Sequence, residues 1–141
     1  MIGDSLLPLK KACYATLTAN SGFMGLVTGL FDSRAPTNQP FNYVVIGVAT
    51  MLPDNTMGRG GRECTIVFDI WTQVTTGSAD ALTIQDALLK ALVETTITLT
   101  TTPAQACTYV DLDNYSDSED SSGAIPAYHG IARLLFRTQE I

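Results

Sequence analysis

The chain has 141 residues, of which 45% are hydrophobic and 16% are charged, and its formal net charge is −6. This length fits one domain with a substantial core, whereas eight basic residues are too few to wrap duplex DNA tightly, because that binding depends on Lys and Arg neutralising phosphates. The charged fraction is low for a soluble chain, so we expect either a Thr-rich exterior or apolar surface that an assembly covers.

A helix opens the chain, followed by a short helical turn. Asp4 or Ser5 can cap the helix, and its apolar residues recur at three- and four-residue spacing: Leu6, Leu9, Cys13 and Leu17. The segment 20–22 ends it, and 23–27 forms the short turn. Both elements are predicted to lie in the core.

Two strands and a glycine-rich connection follow. After a turn-rich segment from 30 to 39, which can begin with a short strand, the run 40–47 favours a strand that can extend to Thr50, with Pro40 marking its start or an edge of the sheet. Its predicted antiparallel partner is 63–71, where alternate side chains form two partly apolar faces. The face with Val67 and Trp71 must be covered, either by helices of this chain or by a neighbouring subunit.

The second half is predicted to contain one helix and three strands. The helix spans about 79–93, with Asp80 near its start and Lys90 near its end, as the helix dipole favours. Alternation predicts strands at 95–102, 107–112 and 125–137. The sequence therefore predicts a single α+β domain over 1–141, with an antiparallel sheet of about four to five strands backed by two main helices, in the order α-(α)-β-β-α-β-β-β.

The three cysteines form an odd set without a CxxC pair, which predicts neither a disulfide framework nor a zinc finger: Cys13, Cys64 and Cys107. A reducing compartment is expected. Charged residues interrupt the first 20 positions, and no apolar run approaches the roughly 18 residues of a membrane span. We expect a protein that is made in the cytosol and remains soluble.

The acidic segment 111–123 is predicted to be a loop, and its alternate oxygen ligands invite a calcium interpretation. The spacing fails the EF-hand pattern, because Ser116 stands where Gly is required and Ser122 where the bidentate Glu belongs. A solvated or partner-facing loop fits better, and no metal site is expected.

A catalytic interpretation has to use His129, the only histidine, with Cys64, Cys107 or Asp69 as companions. Nothing in the sequence brings them together, and Cys64 lies in an apolar alternation typical of core residues. We expect His129 to be a surface or interface residue. No catalytic residue and no cofactor are predicted.

The segment 58–62 combines glycines with Arg59 and Arg62 but lacks the Gly-Lys-Ser/Thr end of a phosphate-binding loop. It is interpreted as a contact with a partner, the alternative being a plain hairpin tip. The acidic segment is the surface whose charge complements these arginines. Our hypothesis is therefore a contact between the arginines of one subunit and the acids of a like subunit. Its acidic members are Asp113, Asp117, Glu119 and Asp120.

Several short motifs together resemble one family. They are the helix 9–17, the turn 23–27, the strand Pro40-Phe41-x-Tyr43-Val44-Val45-Ile46-Gly47, the lead Gly58-Arg59-Gly60-Gly61-Arg62-Glu63 into Phe68-x-Ile70-Trp71, and the strand 130–137. Over nearly its whole length the sequence is similar to the tail-completion, or tail-terminator, proteins of long-tailed bacteriophages and gene transfer agents.

This resemblance implies a virion structural protein, assembled in the host cytoplasm and located in the tail or neck. It implies a homo-oligomer, a six-membered ring on the head-proximal end of the tail tube, which stops tube polymerisation and docks the head connector. The implied partners are the major tail tube protein and the head connector or head-completion protein, with genomic DNA passing through the lumen without sequence-specific binding. The family has no catalytic residues to transfer.

Two other functions remain open. A head-completion or neck protein could share the fold and ring symmetry while joining head to tail. A small-molecule-binding α+β dimer could use the same helix-on-sheet arrangement.

Overall fold

Two helices, three strands, a third helix and two further strands follow one another along the described part of the chain. In this computed structural model that part comprises residues 4–54, 60–94, 97, 99–101, 104–120 and 125–141, without the side chain of Thr76. The helices are α1 (Leu6–Thr18), α2 (Ser21–Met24) and α3 (Ser78–Val93), and a 3-10 turn spans Val74–Thr76. The strands are β1 (Gly29–Asp32), β2 (Tyr43–Pro53), β3 (Gly61–Gln73), β4 (Gln105–Asp120) and β5 (Ala127–Glu140).

The strands form one sheet in the order β1-β2-β3-β5-β4. The predicted α+β class is confirmed, but the sheet is mixed, because β1 runs parallel to β2 while the other neighbours are antiparallel. A purely antiparallel sheet was therefore the wrong expectation. Since β1 has only four residues, or about 13 Å, the ten residues 33–42 can return the chain to the same end of the sheet without a crossover helix.

The acidic segment is a strand through Asp120, not a loop from Asp111. β4 pairs with β5 from Gln105 opposite Glu140 to Asp120 opposite Ala127, with register shifts at 107–109 and 112–114. Asp, Asn and Ser are poor strand formers, which explains the wrong prediction. They are tolerated here because β4 is an edge strand with most of its acidic side chains in water.

The predicted strand over 95–102 is also wrong where it is described. Ile97, Leu99 and the segment 100–101 are not in a strand, and the rest of the segment lies outside the described residues. Ile97 and Leu99 are nevertheless buried in the core. The alternation therefore predicted burial correctly but not strand pairing.

The helices pack on one face of the sheet. Their buried residues join the inward side chains of the strands in a single cluster, which includes Phe68, Phe136 and Ile66. The first turn of α1 is capped by Asp4, which precedes the N-cap residue Ser5 and whose carboxylate accepts hydrogen bonds from the backbone N–H groups of Leu6 and Leu7 at 3.0 Å each.

The buried stripe of α3 differs from the expected one. Its buried residues are Ala81, Ile84, Leu88, Ala91 and Leu92. The spacing of apolar residues in the sequence predicts a stripe of Leu82, Leu89, Leu92 and Val93, widened by Ala81, Ile84 and Leu88, but Leu82 is 44% exposed. The helix is apolar over so much of its circumference that periodicity alone does not fix its rotation against the sheet.

Candidate subunit and partner surfaces

One face of the sheet carries no helix within the described residues. We call it the open face and define it by the side chains of Val67, Asp69, Trp71, His129 and Ile131. None of these five belongs to the core cluster, and each is only partly buried. The sequence predicted that either helices of this chain or a neighbouring subunit would cover Val67 and Trp71. The described helices of this chain do not cover them.

At the centre of the open face, three side chains form a compact group. Asp69 Oδ1 lies 2.9 Å from His129 Nε2, and the imidazole stacks on the indole of Trp71 with centroids 3.9 Å apart and planes 7° from parallel. The pairing of β3 with β5 sets this arrangement, because it places Trp71 opposite His129 and Asp69 opposite Ile131. Sequence analysis missed the Trp71 contact, which only the strand register reveals.

The structure does not give this group a thiol partner. Cys64 points to the helix side of the sheet and is buried, and its burial, reinforced by Asp4, raises the pKa of its thiol to about 11. Burial also raises the pKa values of Cys13 and Cys107. A nucleophilic cysteine needs the opposite shift of its pKa, so the Asp69–His129 pair does not form a cysteine nucleophile with its base.

The arginine side of the predicted contact is only partly described. Arg59 lies outside the described residues. Arg62 is the second residue of β3, opposite Thr138, and its Nη1 donates a hydrogen bond to the carbonyl oxygen of Gly61 at 2.9 Å. It is half-buried at the end of the sheet where β4 begins.

The acidic side of that contact lies along β4. Asp113 and Glu119 are exposed, with Asp113 at the register shift next to Asn114. Asp120 is the last residue of the strand, and Asp117 is turned towards the helix side. Four of the predicted contact residues therefore share one strand.

Within one subunit, Arg62 and these acids do not meet. Arg62 is level with Thr138 of β5, whereas Asp117 is level with Gly130. The eight residue steps from Gly130 to Thr138 span about 26 Å of strand. Contact between Arg62 and Asp117 therefore requires a second copy.

Two tyrosines pack around Asp117. The hydroxyl of Tyr128 donates a hydrogen bond to Asp117 Oδ1 at 2.8 Å, and this carboxylate raises the pKa of Tyr128. Burial, followed by the same carboxylate, raises the pKa of Tyr115. Asp117 is thus engaged by its own subunit, which makes it less available to a partner than Asp113 or Glu119.

Neither a metal site nor a membrane-spanning helix is found among the described residues. Within them, no three His, Cys, Asp or Glu side chains converge as a metal site. No described helix is both long enough and apolar enough to cross a bilayer.

A fold with exposed sheet edges and a sheet face that no described helix covers is typical of a subunit that docks on other proteins. Comparison with known protein families identifies the family of this subunit. The model of the family "Tail completion protein gp17" matches residues 11–138, and the chain belongs to this family.

Solved structures share the fold. A chain from the virion of a native gene transfer agent particle superimposes with a TM-score of 0.76 at 20% identity, covering 93% of this chain and 94% of that one. The gp17 protein of bacteriophage SPP1 gives a TM-score of 0.59 at 24% identity, covering 94% and 91%. No sequence among curated proteins matches.

Family membership fixes the broad function. The chain is a structural tail-completion protein, and its place is the tail or neck region of a phage-type virion. The tail-completion resemblance, the structural role and the virion location predicted from the sequence are thereby confirmed.

Proposed function

We propose that this protein is a tail terminator: it forms a six-membered ring at the head-proximal end of the tail tube, ends tube polymerisation there, and presents the surface on which the head docks. The observation that carries the proposal is the family match over residues 11–138. The mechanism is geometric and involves no catalysis, so the chain is not an enzyme.

The asymmetry of the subunit supports a ring. One sheet edge is β1, four residues long, and the other is β4, sixteen residues long and acidic. A contact between two different patches on like subunits is heterologous, and it closes into a ring when its rotation divides a full turn. A symmetric dimer needs one self-complementary patch instead.

The proposed partners follow the same geometry. One face of the ring binds the last layer of the major tail tube protein, and the other binds the head connector or head-completion protein. DNA passes through the lumen without sequence-specific binding, since a subunit with a net charge of −6 repels phosphate.

For the contact between neighbouring subunits, the arginine-to-acid pairing remains our proposal. Arg59 and Arg62 of one copy face Asp113, Asp117, Glu119 and Asp120 of the next. The 26 Å separation within one chain, about eight strand residues, supports contact between copies over contact within one.

Charge reversal tests this pairing. We expect Arg59→Glu combined with Arg62→Glu to reduce ring formation on tail tubes at least fivefold, measured by counting capped tubes in electron micrographs. Lys90→Glu makes the same kind of charge change on the exposed side of α3 and serves as the control. Unchanged capping by the double variant refutes the pairing.

Electron microscopy of particles that lack the protein tests the function itself. A terminator predicts overlong tails that bear no head. Tails of normal length that fail to attach would instead identify a head-to-tail joining protein. Addition of purified wild-type protein to overlong tubes should leave their existing length unchanged but block further extension. A stable dimer that never forms rings on tubes contradicts both roles and favours the small-molecule-binding alternative.

A further inference from the structure

Helix α1 presents a solvent-exposed ridge made of Leu7, Lys11 and Tyr14, which we call the α1 ridge. These positions are spaced by four and three residues and so share one helix face, opposite the buried Leu9 and Cys13. Leu7 is 55% exposed and Tyr14 is 45% exposed. Two large apolar side chains flanking a lysine form a surface suited to an apolar partner that carries negative charge.

Grooves lie on both sides of the ridge. One has a volume of about 360 Å³, and its floor and walls include Lys10, Asp32 and Ile46. The other has a volume of about 480 Å³ and passes Pro8, Ala12, Ala15 and Thr100. Both share Leu7 and Lys11, so the ridge can insert into a partner while side chains of that partner enter the grooves.

The charges of the ridge point to an acidic partner. Lys10 is already neutralised by Asp32 of β1, at 3.0 Å. Lys11 is exposed, and among the described residues no ion pair engages it. Docking an apolar surface around a lysine without a counter-charge is unfavourable, so the occupant must supply a carboxylate.

The chain itself provides such a surface on the first half of β4. Tyr109, Asp111 and Asp113 are exposed on this edge strand, and Tyr109 is 43% exposed. No basic residue occurs between positions 105 and 120. Arg137 of β5 lies 5.4 Å from the centre of the Tyr109 ring, but its guanidinium is paired with Asp54 at 3.9 Å. Among the described residues, the unpaired charges from Tyr109 to Asp113 are therefore those of Asp111 and Asp113. The lengths also agree, because seven helical residues from Leu7 to Tyr14 span about 10.5 Å and four strand residues from Tyr109 to Asp113 span about 13 Å.

The two surfaces lie towards opposite edges of the sheet. Lys10 ties the ridge to β1 at one edge through Asp32, and β4 is the other edge. We propose that the α1 ridge of one copy docks on the Tyr109–Asp113 part of β4 of the next copy. Repetition of this contact produces the ring, so the inference rests on the proposed function for its role, although the contact can be tested separately.

This contact is distinct from the arginine-to-acid pairing. The two contacts share only Asp113: the ridge contact also uses Tyr109, Asp111 and the lysine of a helix, whereas Asp117, Glu119 and Asp120 lie in the second half of the strand. Both contacts can be present in one ring, and each has its own charge-reversal test.

The test uses two full-length variants, Lys11→Glu and Asp111→Lys, each alone and as an equimolar mixture, because Asp111 does not belong to the arginine-to-acid pairing. In a head-to-tail ring, each single variant places like charges at every interface. In the mixture, alternating copies restore opposite charges at every interface. The ridge of a Lys11→Glu copy meets the β4 edge of an Asp111→Lys copy, and at the next interface an unaltered ridge meets an unaltered edge. An even-membered ring accommodates this alternation.

We measure oligomer mass by analytical ultracentrifugation at about 50 mM salt, with and without tail tubes, since low salt preserves interactions between exposed charges. Each single variant should assemble at least fivefold less than wild type, and the mixture should return to within twofold. Lys90→Glu should match wild type. Thermal melting of each variant by circular dichroism verifies that it is folded.

The outcomes separate this contact from the tail role. Wild-type protein that oligomerises with the expected variant pattern but never binds tubes supports the contact and overturns the terminator function. Wild-type protein that caps tubes while the single variants cap equally well, or while the mixture stays as weak as its components, overturns the contact. A wild-type chain that is monomeric with and without tubes overturns both.

Discussion

At the residue scale, the absence of a side chain at Gly47 of β2 leaves room for the Asp69 carboxylate on the neighbouring strand β3. A Cβ atom at this position would clash with Asp69 Oδ2, while the other oxygen of that carboxylate is held by His129. Gly47 lies in the register shift between Ile46 and Ala49, where β2 departs from regular pairing with β3. The glycine therefore leaves space for the Asp69–His129 pair, and it lies where the backbone pairing of β2 with β3 is irregular.

Gly47→Ala should lower the free energy of unfolding by about 1–3 kcal/mol, because the methyl group displaces a carboxylate that is held in place. Urea denaturation measures the change. In an Asp69→Ala background the same glycine substitution should cost much less, since the atom that it would meet is gone. Equal costs in both backgrounds would show that the strain arises from the backbone and not from Asp69.

The buried thiols make a pH prediction. Burial raises the pKa of Cys64 from 9.0 to about 11, so the folded state keeps a proton that the unfolded state loses. Stability is therefore complete below pH 9 and falls as the pH rises towards 11, with a slope of up to about 1.4 kcal/mol per pH unit for each such group.

We expect urea midpoints to fall between pH 9 and pH 11, and to fall less steeply for Cys64→Ala than for wild type. The substitution also lowers stability at neutral pH by a constant amount, so the comparison concerns the slopes and not the absolute values. If the urea midpoints of the two proteins fall with pH at the same slope, the loss of stability at alkaline pH arises from other groups, such as Cys13 or Tyr115.

At the element scale, the rotation of α3 is fixed by which leucines meet the sheet. Leu88 is fully buried, while Leu82, on the same helix, is 44% exposed. Both residues have the same helix propensity, so a matched pair of alanine substitutions isolates packing.

Leu88→Ala should destabilise the protein by about 2–5 kcal/mol through lost burial and a cavity, while Leu82→Ala should cost well under about 1 kcal/mol. Thermal or urea unfolding of the two variants measures the difference. Similar losses would mean that α3 is rotated relative to the packing described above.

The acidic composition of β4 also has an explanation at this scale. A sixteen-residue edge strand presents unpaired backbone groups along one side, and charged side chains and irregular register are common protections against unwanted strand pairing. β4 has both, with acids at Asp111 and Asp113 and register shifts at 107–109 and 112–114. The same acids can thus keep free subunits apart and select a basic partner.

At the scale of the whole molecule, net charge governs the encounter with nucleic acid. With fourteen acidic and eight basic residues, the chain should not retain duplex DNA, because binding without sequence specificity is supplied by cations on the protein.

Fluorescence anisotropy with a labelled duplex at about 50 mM salt should show no binding at micromolar protein. A variant with Asp111→Lys, Asp113→Lys and Glu119→Lys should gain measurable binding, which confirms that the assay can detect it. Submicromolar affinity of the wild-type chain would contradict passive passage of DNA through the ring.

Local patterns predicted much of this protein. Alternation at 63–71 placed Cys64, Ile66, Phe68 and Ile70 on one buried face, and the capping residue and spacing of α1 were correct. The family resemblance, which rested on short motifs around β2 and β3, is confirmed by the match over residues 11–138. The single-domain interpretation and the contact residues stay predictions.

The sequence alone determined the helices and strands in which buried side chains recur with the period of the element, such as α1 and β3. It also determined that the protein is a structural, tail-completion protein. Only the tertiary structure decided the parallel pairing of β1, the extension of β4 through the acidic segment, the rotation of α3, and the meeting of Trp71, Asp69 and His129. Each of these depends on contacts between residues far apart in the chain, and such contacts can override the preferences of any single segment. Asp111–Asp120 is the clearest case, because the backbone ladder of β5 makes a strand of residues that by themselves favour a loop.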